Sequence, residues 1–174
     1  MHVINRHERT LPAPAAQVGA LIDSLASKED RLWPRDRWPA MRFDRLLGVG
    51  AVGGHGPIRY FVAEYIPGLH IKFQFTAPPG FNGWHGYTLE ALDGQTTRLF
   101  HILEMRTSGP ALLSWPLLFR PLHDALIEDS LDKAQSQLSG EPLVRQWSPY
   151  VRLLRRLLRP KTAHPSRSLR TSDS

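Results

Sequence analysis

Between Met41 and Arg106 the apolar residues recur at every second position, and that period commits the middle of the chain to β-structure. Ile71, Phe73 and Phe75 alternate with Lys72, Gln74 and Thr76, which predicts a sheet with one buried and one wet face. Pro67-Gly68 and Asp93-Gly94-Gln95 are hairpin signals between such runs. They predict strands over Ile58–Ile66, Leu69–Thr76, Trp84–Leu92 and Thr96–Arg106, with a shorter one over Met41–Leu47. Sequential hairpins make an antiparallel sheet.

The flanks change period. His2 to Leu11 reads as an opening strand, closed by Pro12 and Pro14. Val18, Leu21, Ile22 and Leu25 recur at helical spacing, so Ala15 to Ser27 is a helix. Ser27 and Asp30 have capping-box spacing, which predicts a second short helix over Lys28–Trp33. Gly109 and Pro110 end the sheet. A long helix over Leu122–Leu138 follows, with Pro121 in its first turn and Asp124, Glu128, Asp129 and Asp132 on its solvated face. Glu104 is expected to pair with Arg98 or Arg106.

A chain of 174 residues suffices for one domain. It has no cysteine, which excludes disulfides, thiolate metal sites and a cysteine nucleophile. Residues 1–140 carry 14 basic and 14 acidic side chains, while residues 141–174 carry 8 and 2. The body is therefore neutral and has no electrostatic footprint for a nucleic acid. No apolar run approaches a membrane span, so a cytoplasmic protein is expected.

The basic end divides in two. Residues 141–160 predict an amphipathic helix with Arg152, Arg155, Arg156 and Arg159 in one sector, and residues 161–174 read as disordered. The apolar sector, with Trp147, Tyr150, Val151, Leu154 and Leu158, must be covered. Its destination is the domain, a second copy in a homodimer, or peripheral contact with an anionic membrane through Trp147–Arg159. The first 140 residues are expected to fold without it.

A curved sheet closed by a single long helix cannot fill its own interior. It leaves a cavity, and such cavities bind ligands. The element order resembles the helix-grip fold of the START-like (SRPBCC) superfamily. Leu11-Pro-Ala-Pro-Ala-Ala-Gln-Val-Gly-Ala-Leu-Ile-Asp-Ser-Leu is similar to the family's handover from strand to first helix, and Glu64-Tyr-Ile-Pro-Gly-Leu-His-Ile-Lys-Phe-Gln-Phe to its mid-sheet hairpin. The resemblance covers about residues 2–139. It implies an α+β fold: a curved antiparallel sheet of six or seven strands around a long C-terminal helix, with two short helices after the first strand. It also implies a small apolar ligand such as a lipid or polyketide.

Strand parity and helix position converge on Phe73, Phe75, His85, Tyr87, His101, Met105, Trp115 and His123 as ligand-binding residues of a closed cavity. The alternative is an enzyme of cyclase or dehydratase type. It would use His101 or His85 as general base and Tyr87 to polarise a carbonyl. No helix carries metal-ligand spacing, and no metal or cofactor is expected. Gly48-Val-Gly50-Ala-Val-Gly53 matches a dinucleotide fingerprint in letters only. Gly54, Gly56 and Pro57 forbid the helix that the fingerprint needs, so a cavity-rim loop is expected.

Overall fold

The computed structural model describes residues 1–158, so Arg159 and the segment read as a disordered tail lie outside the described residues. Among the described residues seven strands form one sheet: β1 (His2–Leu11), β2 (Arg42–Phe43), β3 (Val52–His55), β4 (Ile58–Ile66), β5 (His70–Ala77), β6 (Phe81–Ala91) and β7 (Thr97–Thr107). Their order is β1-β7-β6-β5-β4-β3-β2, every pair antiparallel. The long C-terminal helix closes the sheet's concave face, which gives the α+β helix-grip architecture.

Helix α1 (Ala15–Asp23) is pinned to the β4–β5 turn. Asp23 Oδ1 accepts from the Gly68 amide and from the Tyr65 hydroxyl, both at 2.8 Å. Gly68 has φ of 73°, which its lack of a side chain permits. The helix approaches so closely that a Cβ on Gly19 would lie 2.2 Å from the Gly68 carbonyl oxygen. Helix propensity favours alanine over glycine by about 1 kcal/mol, but here the clash with backbone decides. A Gly19→Ala chain is expected to be less stable by about 1–3 kcal/mol, and a raised midpoint in thermal unfolding would refute that close fit.

Three expectations about elements are corrected. Residues 28–33 are not helical. The Asp30 carboxylate accepts from the backbone amides of Ala26 (2.8 Å), Leu32 (3.0 Å) and Trp33 (2.7 Å), and this local bonding competes with a helix. The strand expected over Met41–Leu47 shrinks to β2, because β3 forms inside the glycine-rich stretch and pairs with it. The long helix also starts eleven residues before Leu122. It runs as α2 (Ala111–Ser114), a π-helical turn (Trp115–Phe119) and α3 (Arg120–Ser139), 29 residues in all.

The π-helical turn absorbs two prolines that read as a helix boundary. The Arg120 amide reaches back to the Trp115 carbonyl, five residues away. Pro121 has no N–H to give the Leu117 carbonyl four residues before it. That carbonyl instead accepts the Tyr150 hydroxyl at 2.6 Å.

The acidic face of α3 is not solvated, which corrects a fourth expectation. Asp129 and Asp132 are buried, and the others meet a polar inner face of β1. Asp124 accepts from Asn5 at 2.8 Å, and Glu128 pairs with His7 (2.8 Å) and Arg9 (3.1 Å). Arg9 also reaches Asp132 at 2.8 Å. A helical wheel shows which side chains are polar but not what they will face. Glu104 likewise meets His2 of the neighbouring strand β1 at 3.2 Å rather than Arg98 or Arg106 of its own strand.

The last helix, α4 (Pro149–Leu157), packs on the domain. Ser148 caps it, accepting from the Val151 amide, and Val151 is buried. Arg155, predicted in one sector with Arg152, Arg156 and Arg159, lies over the rings of Trp38 and Trp147 at 4.1 and 4.0 Å. It also donates to the carbonyl of Arg37. Two stacked indoles and a carbonyl outweigh hydration of one guanidinium.

Candidate functional site: an imidazole-lined cavity

Between the concave sheet face and the long helix lies a cavity of about 880 Å³. Its wall is mostly apolar, with Phe75 from β5, Phe81 from β6, Leu103 from β7, Trp115 from the π-helical turn and Leu122 from α3. The wall includes exposed Gly56, Pro57 and Leu158, so the cavity opens to the surface and is not closed as expected. Arg155 and Leu158 belong to this rim, which makes the C-terminal segment part of the cavity and not an appendage.

Of the eight residues marked from sequence, Phe75, His85, His101, Trp115 and His123 line the cavity. Phe73, Tyr87 and Met105 share their parity but sit in the surrounding wall. Phe73 packs on Tyr60 and on His85. The Tyr87 hydroxyl meets Ser130 Oγ at 2.8 Å, and Ser130 in turn donates to the Leu32 carbonyl at 3.0 Å. With Ser130 donating onward, Tyr87 donates to Ser130, so its hydroxyl is committed to the wall and not to a substrate carbonyl. Burial pushes its pKa well up.

Sequence reasoning missed Trp33, Trp38 and Arg37 in the lining and placed His55 at the cavity mouth only. His55 sat in the stretch read as a rim loop. The signal available was its parity within β3, once β3 is recognised as a strand.

Four imidazoles run in ring contact through the cavity wall. Centroids are 6.5 Å apart for His55–His85, 5.5 Å for His85–His101 and 5.1 Å for His101–His123. His85 Nδ1 and His101 Nε2 are 3.3 Å apart, so one ring donates to the other. Four buried ring nitrogens make no hydrogen bond within 3.5 Å among the described residues: His85 Nε2, His101 Nδ1 and both of His123, whose Nδ1 lies 3.7 Å from Asp124.

Burial first, then the proximity of the other imidazoles, drives these pKa values down. His55 falls to about 3, and His85 and His101 fall well below the ordinary 6.5. His123 is also lowered, although Asp124 at 3.7 Å partly compensates. The site is therefore a set of neutral hydrogen-bonding rings, not of cations.

His7 behaves oppositely. Burial disfavours its charge, but hydrogen bonds and attraction from Asp124 and Glu128 outweigh that and raise its pKa. Burial likewise opposes ionisation of Asp124, yet His123, His7 and Asn5 hold its pKa below the usual carboxylate range. His7, His123 and Asp124 bring three ligand atoms within 4.8 Å of one another, a set that could hold a divalent metal. No sequence spacing reveals it, because β1 and α3 are 117 residues apart at the His7–Asp124 contact.

No family model matches this sequence, and no curated protein matches it either. Solved structures do match. A START superfamily protein from Mycobacterium smegmatis is 10% identical with a TM-score of 0.55, over 80% of this chain and 99% of its own. The Zhui aromatase/cyclase from a Streptomyces species is 15% identical with a TM-score of 0.55, over 80% and 94%. Ara h 8.0201 is 14% identical with a TM-score of 0.57, over 81% and 100%. These likenesses show that the chain has the helix-grip fold.

Proposed function

We propose that this protein binds a small, mostly apolar molecule carrying one polar end. The observation that carries the reading is the four buried ring nitrogens without a hydrogen bond, on three imidazoles of a mostly apolar cavity. A buried polar atom without a partner costs about 1–3 kcal/mol, and a ligand hydroxyl or carbonyl beside His101 or His123 would remove that cost. The cavity volume of about 880 Å³ suits a lipid-like or polycyclic molecule.

Binding is favoured over a cyclase or dehydratase activity. Proton transfer at neutral pH requires a base with a pKa near the working pH, and burial holds His85 and His101 far below it. Tyr87 is occupied by Ser130.

Native mass spectrometry of protein from its own host tests for a co-purifying molecule. A mutational test separates polar from apolar recognition. His101→Leu is expected to weaken binding of a naphthol about tenfold while leaving naphthalene nearly unchanged. Equal loss for both would mean that His101 contributes shape alone.

A further inference from the structure

Five large apolar side chains on two neighbouring segments are exposed. Leu113 and Leu157 are 71% and 70% exposed, and Leu117, Leu153 and Leu158 are also more than half exposed. They come from two segments, the α2–π-helical stretch and α4, and these meet where Tyr150 donates to the Leu117 carbonyl. Exposed apolar side chains where two segments meet mark a candidate interaction surface. Packing on the domain leaves these leucines uncovered, although α4 buries Val151 and Trp147 donates to Asp129.

The same segments form the cavity rim through Leu118, Phe119, Arg155 and Leu158. Their charge is one-sided. Residues 107–123 and 142–158 contain no aspartate or glutamate. Arg152 and Arg156 are exposed on the segment that carries Leu153 and Leu157, and Arg120 is exposed with Asp124 3.8 Å away. The sequence beyond Leu158 adds four basic residues and a single acidic one.

From this we infer that the face docks on a bilayer bearing anionic lipid, with the cavity mouth turned toward the membrane. The leucines enter the interface while the arginines reach the phosphates, as interfacial amphipathic helices do. An apolar occupant would then pass between bilayer and cavity without crossing water. That last step rests on the ligand-binding reading; the docking itself does not.

The test is co-sedimentation of the full chain with vesicles of phosphatidylcholine alone or mixed with phosphatidylglycerol, at low and raised salt. Naphthol binding is measured in parallel. Wild-type protein is expected to sediment with the anionic vesicles only, and less so as salt rises. Arg152→Gln and Arg156→Gln should each lower the partition about fivefold. Leu113→Asp and Leu157→Asp should abolish it with an unchanged circular dichroism spectrum, since both side chains face solvent. Equal partition to neutral and anionic vesicles, or variants that partition like wild type, would overturn the proposal. So would a dimer in analytical ultracentrifugation that the leucine variants dissociate, which would assign the face to a second copy. Naphthol binding without vesicle binding also overturns docking. Vesicle binding without naphthol binding upholds docking and removes the ligand reading instead.

Discussion

An Asp129→Ala chain is expected to lose about 3–5 kcal/mol of stability, a fall of roughly 10 °C in the midpoint of thermal unfolding. Asp129 is buried. Its carboxylate accepts from Arg37 Nη1 at 2.7 Å, Trp38 Nε1 at 2.6 Å and Trp147 Nε1 at 2.9 Å. Truncation strands one guanidinium and two indole donors in a region with little water, which is the costly way to break a buried pair. Trp147 also carries the ring on which Arg155 rests, so the C-terminal segment should loosen with it. Asp129→Asn retains an acceptor and is expected to lose less. An alanine variant melting with wild type would remove this carboxylate from the list of organising contacts.

Mild acid is expected to destabilise the fold steeply. The imidazoles of His55, His85, His101 and His123 are all held below the ordinary 6.5. As pH falls below 6.5, the unfolded chain therefore binds protons that the folded chain refuses. Stability from these groups is fully present above about 6.5 and is lost progressively toward each folded value. The first pH unit costs about 1 kcal/mol for each of the strongly lowered rings, His55, His85 and His101, or about 3 kcal/mol together, and His123 adds in the same direction. His7 has the opposite sign. Its raised pKa gives stability present below 6.5 and lost as pH rises through the folded value. One group against four leaves acid lability dominant. Urea unfolding at pH 7.5 and 5.5 measures the difference, and equal stabilities would show that the rings are not held neutral.

How far the fold could be read depended on whether a feature was local. The hairpins were legible because parity and turn residues are properties of neighbouring positions. The seventh-strand pairing, β2 with β3, was not, since it forms among glycines that carry no pattern. The early start of the long helix was hidden by Pro116 and Pro121, which end helices unless a π-helical turn intervenes. In the cavity, parity named a sheet face but no location along it. Phe75 and Phe73 share a face, yet only Phe75 reaches the cavity on the curved strand. The β1–α3 seam was readable in each half. Asn5, His7 and Arg9 alternate, and Asp124, Glu128 and Asp132 follow at four-residue spacing. What was missing was the contact joining halves over a hundred residues apart.

The Leu117 carbonyl gives the π-helical turn a role beyond accommodating prolines. A helix interior normally offers no acceptor to the outside, because each carbonyl is engaged by its own helix. Proline at 121 withdraws one donor and so turns a closed cylinder into one with a socket. Tyr150, 33 residues later, fills it. The latching point of the final helix is thus written into the preceding one as a missing hydrogen. The two pieces that border the opening are fastened to each other at that atom, so whatever widens the opening must first unfasten it.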